Sequence, residues 1–189
     1  LAQIGYQVTL LSDGDLEKSD LSVYDTIITG VRAYSTRHRL RQLHKRLLKY
    51  VQNGGVLVMQ YNSNRGNVVE NLGPYPMKLS FDRVDEEDAP SAFGNPSHPL
   101  LNSPNKITQA DFKGWVHDRG LYFANEFDSR YETILSSHDS GKPPIAGGLL
   151  YAKYGGGVFI YAGYSFFRKL PAGVPGAYRL LVNLISAGH

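Results

Sequence analysis

Residues able to do covalent or metal chemistry are sparse in this sequence. It has 189 residues, six of them histidine and none cysteine. Without cysteine, this chain has no thiolate nucleophile, disulfide, iron–sulfur cluster or cysteine-ligated zinc. His38, His44, His98, His117 and His138 stand at no HExxH or comparable ligand spacing, so no metal and no other cofactor is expected in it. The acidic run Asp85-Glu86-Glu87-Asp88 lacks the alternating ligands and distal glutamate of a calcium loop and reads as a solvated turn. No GxSxG elbow occurs either. A serine hydrolase would have to use an unpatterned set, Ser63 or Ser165 with His98 or His117.

Recognition is better represented. In an open α/β sheet, ligands bind where the chain leaves the carboxyl ends of the strands, and three such segments stand out. Gly30 to Arg37 (GVRAYSTR) leaves one apolar run and enters a helix. It offers Arg32 and Arg37 as charge and Tyr34 as a stacking surface, beside helix N–H groups that favour anions. Gln60 to Gly66 (QYNSNRG) contributes Gln60 and Asn62. Gly163 to Gly176 (GYSFFRKLPAGVPG) contributes Tyr164 and Arg168 on a loop that its prolines and aromatics make rigid.

The elements holding these loops follow from periodicity. Leu1 to Gly5 reads as the last turn of a helix stopped by a glycine. Tyr6–Leu11 (YQVTLL), Asp25–Thr29 (DTIIT) and Val56–Gln60 (VLVMQ) read as strands, the last two continuously apolar as in a parallel sheet covered on both faces. Between them Leu40, Leu43, Leu47, Leu48 and Val51 form one helical stripe, with Ser35 or Thr36 as cap and Asn53-Gly54-Gly55 as stop. Further strands are expected at Lys78–Val84, Glu132–Ser136, Ile145–Lys153 and Val158–Tyr161, the last two forming a hairpin through glycines 155–157. Asp85–Pro104 reads as a surface excursion, Ala110–Val116 as a short helix and Pro175–Ala187 as a closing helix. Short loops and apolar strands predict one α/β domain over residues 1–189, a doubly wound, mostly parallel sheet with flanking helices. Since the chain opens inside a helix, the first strand of that sheet is expected upstream, in a longer protein.

The net charge of +3 conceals an asymmetry. Val31 to Gly55 holds seven basic residues and no acid, and the remainder balances to −4 (13 basic, 17 acidic). No nucleic-acid motif or groove-reading pattern accompanies the basic stretch, so it reads as a solvated helix face. No apolar run approaches the ~18 residues of a membrane span.

Four segments together resemble one known family: YDTIITGVRAY, LLKYVQNGGVLVMQYN, NPSHPLLNSPNKITQADFKGWVHDRGLYF and GVFIYAGYSFFRKLPAGVPGAYRLLVNLIS. They are similar to the carboxyl-terminal region of certain bacterial PIG-L/LmbE-family proteins, where that region follows a zinc-dependent deacetylase domain. The resemblance implies a class I glutamine amidotransferase-like, flavodoxin-like fold, as in ThuA-type proteins. Neither catalytic set carries over. The family's His-Pro-Asp-Asp zinc motif has no counterpart, because His98-Pro99 is followed by Leu100-Leu101. Where amidotransferases carry an elbow cysteine, the stretch Val56–Asn62 has Gln60 and Tyr61. The resulting expectation is a non-catalytic accessory domain of an N-acetyl-sugar deacetylase, binding carbohydrate or its parent's catalytic domain. A structural or oligomerisation module, or a free-standing Ser/His hydrolase, are the alternatives.

Overall fold

The computed structural model describes residues 1–63 and 71–188. Its centre is a six-stranded sheet. The strands in chain order are β1 (Thr26–Thr29), β2 (Val56–Gln60), β3 (Met77–Leu79), β4 (Arg83–Val84), β5 (Ser91–Phe93), β6 (Gly120–Leu121), β7 (Ala124–Phe127), β8 (Glu132–Ser137), β9 (Ile145–Tyr154) and β10 (Gly157–Ala162). The main sheet runs β1-β2-β10-β9-β8-β5, while β3–β7 and β4–β6 form two small pairs.

This topology corrects the doubly wound, mostly parallel arrangement. Only β1, β2 and β10 are parallel, and the pairs β10–β9, β9–β8 and β8–β5 are antiparallel. For β8–β9 and β9–β10 the reason is connection length, since parallel neighbours need a crossover of a dozen or more residues. Gly155 and Gly156 alone join β9 to β10, which forces the hairpin.

Several boundaries also differ. Tyr6–Leu11 is not a strand but belongs to no regular element. The stretch Lys78–Val84 is divided between β3 and β4, which pair with different partners. The excursion over 85–104 supplies β5, and the helix expected over 110–116 is a 3₁₀ turn at Gln109–Phe112.

The helices are α1 (Asp13–Lys18), α2 (Ala33–Thr36), α3 (His38–Gln42), α4 (His44–Gln52), α5 (Phe166–Lys169) and α6 (Pro175–Ile185). The leucine stripe therefore spans α3 and α4 rather than one helix. Neither Ser35 nor Thr36 caps it: Arg37 precedes α3 without a side-chain cap, and the Thr36 hydroxyl donates back to the Arg32 carbonyl. Two of the seven basic residues are neutralised on the molecule itself, as Arg37 pairs with Asp13 and Arg39 with Glu17.

Side-chain alternation along the central strands builds two cores. Val56, Val58, Val158, Ile160, Ala162 and Leu149 meet α6, Trp115 and Phe112 on one face. Leu57, Met59, Phe159, Tyr161, Leu150 and Ala152 meet Leu40, Leu47 and Val51 on the other. Burial on both faces explains the near-continuous apolar sequences of β2 and β10.

A candidate ligand crevice at the strand ends

The carboxyl ends of β1, β2 and β10 lie side by side, so the segments leaving them converge. The Arg32 N–H donates to the Tyr61 carbonyl (2.8 Å), tying the loop after β1 to the one after β2. Asn62, fully buried, extends this tie. Its Oδ1 accepts from the Tyr34 N–H (2.9 Å) and its amide donates to the Gln60 carbonyl (3.1 Å). The Gln60 amide donates to the Thr29 carbonyl (3.2 Å), and the Ser35 and Ser63 hydroxyls lie 3.1 Å apart. Residues 64–66 of the second expected loop lie outside the described residues.

The third side is built by a return strand. Leu121 N–H donates to the Gly163 carbonyl (3.1 Å) and Ser165 N–H to the Arg119 carbonyl (3.1 Å), which places residues 117–122 along the continuation of β10. The Tyr161 hydroxyl donates to the Tyr122 carbonyl at 2.6 Å. Asp118 then faces α5, where it accepts from the Ser165 hydroxyl and lies 3.6 Å from the Lys169 ammonium and 3.4 Å from Arg168 Nε. Lys169 also donates to the Ser165 hydroxyl (2.8 Å) and to the Asp118 carbonyl. Burial pulls the Lys169 ammonium down to about 8, with Asp118 opposing the shift.

Of the residues singled out in the sequence, Arg32 and Arg168 flank this opening, with Gln60 half-buried beneath. Tyr34, Asn62 and Tyr164, in contrast, are buried. The Tyr34 hydroxyl is held by His44 Nδ1 (2.8 Å) and that of Tyr164 by Ser137 (2.8 Å). Arg37 is spent on Asp13.

Several contributors were missed. Tyr61 packs on Tyr122 (ring centroids 5.7 Å) and Phe167 (5.6 Å), and Tyr122 reaches exposed Phe81 (6.3 Å). Burial raises the Tyr61 hydroxyl, with the charges of Arg32 and Arg168 opposing the shift, and the Arg168 guanidinium lies over the Phe167 ring, 5.0 Å from its centroid. Arg32, His117 and Tyr122 are the non-glycine residues with left-handed backbone among the described residues (φ 56°, 63° and 57°), and all three lie in the segments that frame the opening. Tyr61 is legible in the sequence as a tyrosine after an apolar strand, though not its packing on Tyr122 and Phe167. Positive φ at arginine or tyrosine leaves no sequence signal.

The histidines do not assemble with the serines of the expected hydrolase set. Neither Ser63 nor Ser165 is hydrogen-bonded to one among the described residues. His98 lies by the amino end of β10, where its Nδ1 accepts from the Leu100 N–H (3.1 Å) and Nε2 stands 3.6 Å from Glu132, beside a cavity of about 550 Å³. No group of three or more potential metal ligands occurs among the described residues, and no described helix is long and apolar enough to cross a membrane.

No protein family and no curated protein matches the chain. Solved structures do match its fold. The cytoplasmic protein STM3548 from Salmonella typhimurium superposes with TM-score 0.64 at 15% identity, over 98% of this chain and 82% of that one. The cytoplasmic protein STM1381 from Salmonella typhimurium LT2 gives 0.59 at 15% identity, over 99% and 83%. Part of the beta-galactosidase from Bacillus circulans sp. alkalophilus gives 0.50 at 14% identity, over 91% of this chain and 24% of that chain. At such identities the likeness is one of fold alone.

Proposed function

We propose that the chain is a recognition domain that takes a carbohydrate at the carboxyl ends of β1, β2 and β10. It would serve as the non-catalytic accessory domain of a PIG-L/LmbE-type N-acetyl-sugar deacetylase, whose catalytic domain is its expected partner. The observation carrying this reading is convergence. Arg32, Arg168 and the rings of Tyr61, Tyr122 and Phe167 come together at these strand ends, in segments that hold the left-handed Arg32 and Tyr122. Unfavourable backbone persists where the surroundings over-determine it, and it clusters at ligand clamps. Aromatic faces suit the C–H faces of a sugar ring, and the fork of an arginine suits vicinal hydroxyls or an acetamido carbonyl.

Recognition is favoured over serine chemistry by the state of the two serines. Ser165 is fully buried and already bonded to Asp118 and Lys169, and Ser63 is buried against Ser35. The test is calorimetric titration with N-acetylglucosamine and its short oligomers. Binding is expected, weakened at least tenfold by Tyr122→Ala and by Arg168→Ala with little change in melting temperature. Absence of binding at millimolar sugar, or binding indifferent to both substitutions, overturns the assignment.

A further inference from the structure

At the opposite end of the sheet from the crevice, the cavity of about 550 Å³ opens beside the β9–β10 hairpin. That size falls within the ~300–1,000 Å³ of ordinary ligand pockets. The sheet itself supplies three of its polar groups. Glu132 on β8 stands directly across from Tyr151 on β9, and Lys153 follows Tyr151 by two residues, hence on the same face. The segment after β5 adds His98, whose ring packs edge-on against Tyr151 with 4.8 Å between centroids. Pro99, Leu100 and Val158 give the cavity an apolar wall.

His98 is the informative group. It is 5% exposed, and polar groups so deeply buried are normally hydrogen-bonded. Its Nδ1 accepts from the Leu100 N–H (3.1 Å), which leaves the proton of the neutral ring on Nε2. Burial keeps the ring neutral near pH 7 by holding it below its ordinary range, with the Glu132 charge opposing the shift and that of Lys153 adding to it. Nε2 meets no acceptor at hydrogen-bond distance among the described residues, the Glu132 carboxylate standing 3.6 Å away. The Tyr151 hydroxyl, on a residue 7% exposed, makes no hydrogen bond among the described residues either. Neither atom is sealed within the protein. Two nearly buried donors are thus offered to the cavity.

The exposed Lys153 and Glu132 add one charge of each sign. A lone carboxylate would suit His98, Tyr151 and Lys153 but be repelled by Glu132, and a lone amine would suit Glu132 but be repelled by Lys153. A molecule that satisfies all four groups carries both charges. We propose that this cavity binds a free amino acid with an apolar side chain. Its carboxylate accepts from His98 Nε2, the Tyr151 hydroxyl and Lys153, its ammonium donates to Glu132, and its side chain lies on Pro99, Leu100 and Val158. The site is separate from the crevice and does not depend on a carbohydrate binding there.

The test is titration of the whole chain with free leucine, followed by calorimetry and by the imidazole NMR signals of His98. Isocaproate, which lacks the ammonium, isopentylamine, which lacks the carboxylate, and glucose, an uncharged polyol, are the comparison probes. Leucine is expected to bind saturably and to shift the Nε2 signal, and each comparison probe to bind at least tenfold more weakly. Lys153→Met and Glu132→Gln, both at exposed positions, should leave the melting temperature unchanged. Each should weaken leucine by roughly tenfold or more, the loss of one charge-assisted hydrogen bond. No saturable binding at millimolar leucine overturns the proposal, as does a comparison probe that binds as well as leucine or binding indifferent to both substitutions. So does a free protein in which the Nε2 proton is already hydrogen-bonded and slow to exchange, the cavity then being closed by the protein itself.

Discussion

Two buried polar clusters flank the crevice, and they solve the same problem differently. Tyr34, His44 and Asn62 join the loops after β1 and β2 without a net charge. Burial holds His44 below its ordinary range and Tyr34 above its own, so both are neutral near pH 7. Ser165, Lys169 and Asp118 join the loop after β10 to its return strand, and this cluster buries an ammonium. A neutral network costs little to desolvate once each group has a partner, whereas an ion pair returns to solvent a debt that only good geometry offsets. The first cluster should therefore govern stability, and the second should make stability depend on pH.

The sharpest way to break this contrast is Asn62→Ala. It orphans the buried Tyr34 N–H and removes the tie to Gln60, and a loss of about 2–3 kcal/mol is expected in urea unfolding. A loss under about 0.5 kcal/mol would show that the neutral cluster is not a clamp. Next is the charged cluster. In the unfolded chain Lys169 keeps its proton to about 10.5, whereas in the folded chain it releases it at about 8. Between those values the unfolded state binds more protons, so stability rises with pH. Above pH 10 the unfolded tyrosines ionise while buried Tyr34, Tyr131 and Tyr161, whose hydroxyls burial pushes up, stay protonated, so stability falls again. Lys169→Met should abolish the rising limb; denaturation curves from pH 7 to 11 that are unchanged by the substitution would refute the assignment.

Smaller effects sharpen the comparison further. Tyr34→Phe removes one bond to His44 and should lower stability by about 1 kcal/mol, with no change in pH dependence between 8 and 10. Arg37→Ala breaks an exposed pair with Asp13, and pairs of this kind contribute about 0–1 kcal/mol. Its effect on melting should be near the limit of detection, and it should fade in high salt.

How far the sequence foretold this depends on which physical signal each feature leaves. β2 and the β9–β10 hairpin were legible, because an apolar run and a glycine-rich turn are local signals. The beginning of α6 at Pro175 was legible for the same reason. Strand direction was not, as the apolar pattern of β8 and β9 is compatible with either orientation. Tyr6–Leu11 has the composition of a strand, but a strand also needs a partner edge, and composition cannot provide one. At the crevice, Arg32 and Arg168 could be named from their loops. Tyr34, Asn62 and Tyr164 were placed there too, because a loop position looks the same whether its side chain turns outward or into the core. Asp118 and Lys169 are far apart in the chain, and only the pairing of residues 117–122 with the end of β10 brings them together.

The position of β10 has a consequence for how the molecule is made. It is the single strand that joins the parallel half of the sheet to the antiparallel half, yet it is the last strand in the chain. On the ribosome, β1 emerges first and β2 almost a hundred residues before it. At about 5–20 residues per second, the inner edge of β2 waits on the order of 5–20 seconds for its neighbour. The hairpin of β9 and β10 closes quickly by contrast, its two strands being contiguous. Assembly of the domain is thus a late event, in which a preformed carboxyl-terminal hairpin inserts beside an older and still open pair.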